Sequence, residues 1–235
     1  MAVVPDARRN GPLPVKPSKV ILCSSAKGGC AKTTTSRNLA SLAASHGYRV
    51  ATIDLDPQET LTRWWSRRPD VLPAITNYNL PLADAGQAVP EIAASGQHDI
   101  IVVDTPPGVE QNPASLKGVL GRSDLLLVPT TDGGEDLESA SEWMSLVSGE
   151  VARPAFFLLC LTERELTSLG EAKQYLSDKG RICPHDVRRM QAIKRSYNNG
   201  TGAADFTGRN GKKAAEDYLA VWNFVRLELG LEARK

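Results

Sequence analysis

The chain has 235 residues, 41% of them hydrophobic and 23% charged, enough to bury one substantial core with at most a small appendage. Its formal net charge of +1 excludes neither nucleic acid nor protein partners, because an average over the surface hides local patches. Cys23, Cys30, Cys160 and Cys183 form no C-x-x-C pair, which argues against a zinc knuckle or a disulfide framework and fits a reducing cytosol; no run approaches the roughly 20 apolar residues that span a bilayer.

In chain order, residues 1–18 carry Pro5, Pro12, Pro14 and Pro17 without hydrophobic periodicity and read as a flexible Pro-rich arm, leaving residues 19–235 as a single domain. Lys19 to Ser25 is a short β-rich run entering a glycine turn, and Thr33 to Gly47 reads as a helix stopped by glycine. A strand over Arg49 to Asp54, a helix over Glu59 to Arg68, a strand over Ala74 to Tyr78 and a helix over Asp84 to Ser95 follow. Asp99 to Asp104 and Asp124 to Val128 are apolar runs bounded by charge, the pattern of parallel strands buried on both faces. A helix over Glu135 to Ser148, a strand over Ala155 to Leu161, a helix over Glu163 to Lys179 and a mostly helical tail from Arg188 complete the series. Alternation of this kind predicts an α/β fold with a twisted, mainly parallel sheet flanked by helices, whose ligands bind at the carboxyl ends of the strands.

The first such end carries Ala26-Lys27-Gly28-Gly29-Cys30-Ala31-Lys32-Thr33-Thr34-Thr35. Against G-x-x-x-x-G-K-[ST], both formal glycine positions hold alanine, yet the chemistry of a phosphate loop persists. Gly28 and Gly29 let backbone N–H groups converge on phosphate oxygens, Lys32 reaches the β and γ phosphates, and Thr33 opens a helix where its hydroxyl can ligate Mg²⁺. Two further acidic strand ends, Asp54 to Asp56 and Asp104, fall where a P-loop sheet places groups around the metal and the attacking water. Cys30 reads as a tolerated small residue of the loop.

Lys27-Gly28-Gly29-x-x-Lys32-Thr33-Thr34 resembles the deviant Walker A motif of the ParA/MinD family, with its extra signature lysine. Ile53-Asp54-Leu55-Asp56-Pro57-Gln58 looks like that family's second motif, its Pro-Gln ending favouring the ParA branch, and Ile101 to Gly108 looks like the Walker B strand and following switch. Val128-Pro129-Thr130, with Asp136 downstream, is similar to the fourth motif. The resemblance runs in order from about Lys19 to Gly200 and implies a P-loop NTPase domain that binds ATP and Mg²⁺, pairs into a homodimer around two ATP molecules, and hydrolyses ATP slowly. It assigns Lys27 a role on the partner's nucleotide and Lys32 one in cis; Lys27, Lys32 and Asp56 would be catalytic, Asp56 placing or activating water. Residues Lys27 to Thr34 and Pro129 would bind nucleotide; Thr33, Asp56 and Asp104 would hold the metal, partly through water, with Asp54 in support. Ala31 departs from the family, whose glycine precedes the catalytic lysine, and the consequence turns on the φ angle there.

Arg181 to Lys213 contains eight basic residues against Asp186 and Asp205, the electrostatic footprint of non-specific phosphate-backbone contact. ParA relatives bind DNA through basic residues of their C-terminal half in the ATP-bound dimer, which nominates Arg188, Arg189, Lys194 and Arg195. Residues 1–18 are too few for a DNA-reading helix-turn-helix domain, so the chain resembles the small partition ATPases, cytoplasmic and nucleoid-associated, whose centromere-binding or cargo-adaptor partner stimulates hydrolysis. One alternative is a MinD-like membrane cycle; Ala214 to Leu229 is apolar but basic only at Arg226, which favours packing on the domain and no stable membrane association. Another is a degenerate nucleotide-binding scaffold with little hydrolysis, suggested by Ala31. Scattered cysteines disfavour a metal-cluster relative, and the tail lacks the tyrosine cluster of a tyrosine-kinase relative. Trp64 and Trp65, adjacent on a helix, cannot share one stripe; both packing at the core edge is the preferred reading over one offered to a partner.

Overall fold

The computed structural model describes residues 16–109, 113–149, 154–163 and 167–234, so the expected arm lies mostly outside the described residues. Its elements follow as β1 (Lys19–Cys23), α1 (Lys32–Ser45), β2 (Val50–Asp54), α2 (Thr60–Trp65), β3 (Ile75–Asn79), α3 (Ala85–Ala94) and β4 (Ile100–Asp104). Then come α4 (Pro113–Arg122), β5 (Leu125–Thr130), α5 (Gly134–Val147), β6 (Ala155–Thr162), α6 (Thr167–Ser177), β7 (Val187–Arg188), α7 (Gln191–Ser196) and α8 (Gly208–Glu228). The strands form one seven-stranded sheet in the order β3-β2-β4-β1-β5-β6-β7, and every paired strand is parallel.

The fully apolar strands are central because parallel sheets are covered on both faces. All residues of β2, β4 and β5 are buried. Side chains alternate along β1: Ile21 and Cys23 join a core built with Leu39, Trp64, Tyr218 and Trp222, while Val20 and Leu22 join one built with Val89, Leu116, Trp143 and Leu176. One helical layer is therefore α1, α2, α7 and α8; the other is α3, α4, α5 and α6.

The expected elements are present with ends shifted by a few residues. Two were not foreseen. The helix α4 fills the crossover between β4 and β5, where Pro113 and two glycines obscured the periodicity, and β7 is only two residues long. The C-terminal helix packs as expected, with Tyr218, Val221, Trp222 and Val225 fully buried. Among the described residues, no helix is long and apolar enough to cross a membrane. The tryptophan pair divides: Trp64 is fully buried, whereas Trp65 is 37% exposed and donates its ring N–H to the Ile75 carbonyl at 2.6 Å.

Candidate nucleotide site

The sheet brings two sequence-distant acidic strand ends, Asp54 and Asp104, beside the end of β1, because β1, β2 and β4 are neighbours in register: Cys23 lies beside Asp104, and Asp104 beside Asp54. The loop between β1 and α1 wraps over them. Gly29 has φ 82° and Ala31 has φ 70°, ψ 24°, so the loop turns through left-handed backbone twice before α1 begins. Only glycine adopts this region freely, and Ala31 accepts it; its carbonyl still receives the N–H of Thr35 at 2.8 Å, closing the first turn of α1. The alanine thus costs backbone strain while the first turn of α1 still closes on it.

Lys32 is buried and its ammonium donates to the Lys27 carbonyl at 2.6 Å, folded along the loop that would surround a phosphate. The Thr33 hydroxyl donates to Asp104 Oδ2 at 2.6 Å, and the Ser36 hydroxyl donates to Asp104 Oδ1 at 3.0 Å. Ser36 was not among the expected site residues, although its spacing of three from Thr33 places both on one face of α1. Burial pushes the Asp104 carboxyl up to about 7, against the opposing pull of the Thr33 hydroxyl. A fully buried carboxylate that accepts the Thr33 and Ser36 hydroxyls is a hard oxygen donor, and with Thr33 it suits Mg²⁺. Among the described residues, no group of three or more His, Cys, Asp or Glu could hold a metal ion, so such a cation would depend on phosphate oxygens for the rest of its shell.

Asp54 supports the neighbouring loop. Its Oδ2 accepts the N–H and hydroxyl of Thr62 at 2.8 and 2.9 Å, and its Oδ1 accepts the Asp56 N–H at 3.1 Å; burial nevertheless leaves its pKa above the ordinary value. Asp56 is half-buried, one oxygen accepting the Gln58 N–H at 2.9 Å. Lys27 leaves its own loop: its ammonium meets Asp136 at 2.8 Å and Glu135 at 3.1 Å on the first turn of α5. Hydrogen bonds to Asp136 and Glu135 raise the lysine's pKa; on the Asp136 side, burial pushes upward and the bonds from Lys27 and Thr131 overcome it.

Beside the loop opens a cavity of about 210 Å³, lined by Ala31 and Thr34 at the start of α1 and by Leu161, Met190, Ile193 and Tyr218 across from them. Leu161, with φ 57°, sits where β6 slips register against β7. No spacing rule could have joined these positions, which are contributed by four separate segments. Gly28 and Cys30 take their expected places in the loop, Cys30 buried and its thiol raised by burial. Pro129 does not join the cavity lining; it is buried within β5, in register with Leu158.

The expected DNA-contacting set is corrected at one member. Arg188 is 7% exposed and clamps Asp217 of α8, Nη2 to Oδ1 at 2.6 Å and Nε to Oδ2 at 2.8 Å. Its guanidinium ties β7 to α8. Arg189, Lys194 and Arg195 are exposed.

Residues 21–202 match the family described as the CobQ/CobB/MinD/ParA nucleotide binding domain. The chain belongs to this family. Among ParA/MinD relatives, the maintenance of carboxysome distribution protein A of Gloeobacter kilaueensis is 30% identical over 211 residues, spanning 86% of this chain and 92% of that protein. The fold matches MinD in the MinC:MinD cell division complex of Aquifex aeolicus with a TM-score of 0.73 at 17% identity, over 88% of this chain and 96% of the other. A Borrelia burgdorferi plasmid partition protein bound to AMPPNP matches with a TM-score of 0.69 at 18% identity, over 88% and 99% of the two chains. The ParA/MinD nucleotide-binding fold therefore carries the loop, the acidic strand ends and the cavity just described.

Proposed function

We propose that this chain is a ParA-like ATPase that dimerises on ATP, binds DNA non-specifically as the dimer, and positions a cargo until Mg²⁺-dependent hydrolysis releases it. The observation that carries this reading is the division of labour between two loop lysines. Lys32 lies along the loop, ready to neutralise phosphate oxygens in its own protomer. Lys27 reaches outward to α5, where Glu135 is exposed, so its ammonium is held at a surface and not over its own phosphate site. A cation so placed is available to a second protomer's nucleotide, and delivering it only on dimerisation couples hydrolysis to assembly.

In this scheme the N–H groups from Gly28 to Thr33 and the α1 dipole hold the phosphates. The adenine lies in the cavity beside the loop, where Leu161, Met190 and Tyr218 offer apolar surface among the basic side chains of Arg37, Arg188, Arg189 and Lys194. Thr33 and Asp104 hold the metal, which when bound neutralises charge on the β and γ phosphate oxygens. Asp56, anchored through its N–H to Asp54, orients the attacking water. The named relatives include a carboxysome distribution protein and a plasmid partition protein, which supports a cargo-positioning role with a separate adaptor partner. A MinD-like membrane cycle is less well supported, because α8 spends its apolar face inside the core.

The test is the oligomeric state by light scattering with ATP and with ADP, together with phosphate release. The reading expects an ATP-specific dimer and turnover that falls at least about tenfold in K27A while ATP affinity holds, since an interaction made only in the transition state leaves ground-state binding intact. A chain that stays monomeric with ATP, or a K27A variant with full turnover, would overturn it.

A further inference from the structure

We infer that Arg63 and Arg67, on α2 and the turn that closes it, join Lys194 and Arg195 of α7 in one phosphate-backbone-binding surface for duplex DNA. The inference rests on the DNA-binding reading above and extends it to an element far from the C-terminal basic segment in sequence. All four side chains are exposed, and among the described residues none is paired with a carboxylate.

Four contacts weld α2 and its closing turn to the segment that follows α7. The Trp64 ring N–H donates to the Thr201 carbonyl at 2.9 Å. Buried Arg68 donates to the Gly200 carbonyl at 3.3 Å and pairs with Asp205 at 3.0 Å. The Arg67 guanidinium stacks over the Tyr197 ring, 4.9 Å from its centroid, two residues beyond Arg195. Gly200, at φ 62°, lies so close to α2 that a Cβ there would fall 2.3 Å from the Arg67 carbonyl carbon. The cations of α2 and α7 are therefore held on one rigid body, and ordering them against a polyanion requires no rearrangement.

Charge on the rest of the molecule selects the partner. The opposite helical layer exposes Glu91, Glu138, Glu142 and Glu171, which repel phosphate, while Lys212 and Lys213 on α8 extend the basic side. A net charge of +1 thus conceals two layers of opposite character. Exposed arginines with no carboxylate tied to them among the described residues, one of them stacked on Tyr197, fit a regularly spaced phosphate backbone. The same helix is tethered to the nucleotide site, because Asp54 accepts two hydrogen bonds from Thr62, so α2 and the loop carrying Asp56 share one anchor.

The experiment measures binding of the full chain, with a non-hydrolysable ATP analogue, to a fluorescent mixed-sequence duplex across a salt series. The variants are R63E, R63A/R67A and R195A, each checked for analogue affinity; Lys194 is left intact because it lines the cavity assigned to the adenine. Arg63 makes no side-chain hydrogen bond or ion pair among the described residues, so R63E tests the surface without disturbing the Tyr197 stack. The expected result is a loss of about tenfold or more in R63E at moderate salt, and a slope of log affinity against log salt reduced by about 0.9 for each phosphate contact removed in R63A/R67A, with analogue affinity unchanged. If R195A loses DNA while R63E and R63A/R67A keep wild-type affinity and slope, the α2 surface is wrong and the DNA reading stands. If the wild-type chain binds no duplex in any nucleotide state, both fall.

Discussion

Ala31 holds a left-handed backbone, φ 70° and ψ 24°, immediately before the lysine of the phosphate loop. An L-residue pays about 1–2 kcal/mol for this conformation relative to glycine, partly offset because glycine enlarges the unfolded ensemble. Ala31→Gly should therefore stabilise the fold by about 1 kcal/mol in denaturant unfolding and leave nucleotide affinity equal or tighter; a loss of stability would show that the methyl's packing outweighs the strain. The residue type was visible in the sequence, but the angle that gives it meaning was not.

Asp104 makes a pH-dependent statement. Its carboxyl sits at about 7 in the folded chain because burial penalises the charge, against an ordinary carboxylate value near 3.9 when unfolded. Between those values the native state binds more protons than the unfolded state, so stability contributed by this residue falls as pH rises from about 4 to about 7. Relative to D104N, the nucleotide-free wild type should lose melting temperature across that window, while its Mg²⁺-nucleotide affinity should strengthen from pH 6 to 8 as the carboxylate ionises. Parallel pH profiles for the two proteins would contradict this assignment.

At the scale of elements, the strands and most helices were legible because buried parallel strands are uninterrupted apolar runs and amphipathic helices separate them. The helix α4 was not, since Gly118 and Gly121 break its pattern, and α2 gave no sign that it would pack on residues 197–205. The chemical loop was legible through Gly28, Gly29, Lys32 and Thr33, which are local; Ser36 was recoverable from helical spacing. The cavity residues Leu161, Met190 and Tyr218 were not recoverable, because only the sheet order brings them together. Arg188 shows the limit of charge counting: its neighbours in sequence are exposed, while it is clamped by Asp217 from 29 residues away. Removing one member of such a buried pair strands the other, at about 3–5 kcal/mol. Arg188→Ala should accordingly lower the unfolding midpoint sharply, separating α8 from β7, whereas Arg189→Ala should barely change it; equal, small effects would show that the pair is not structural.

For the whole molecule, the nucleotide site lies at the carboxyl ends of the strands and the basic surface on the α1, α2, α7 and α8 layer, with α2 reaching both. If ATP assembles two such layers into one continuous surface, then ATP and DNA each raise affinity for the other, by the reciprocity of linked binding. Doubling the number of phosphate contacts in a dimer also steepens the salt dependence. Two predictions of direction follow together: DNA should stabilise the ATP-bound dimer, and hydrolysis should lower DNA affinity.

The most direct measurement is duplex DNA binding by the full chain with ATP, with ADP and without nucleotide, across a salt series. Tight, steeply salt-dependent binding with ATP alone is the predicted result. Binding that is the same in all three states would contradict the switch and leave the nucleotide site without control over the basic surface.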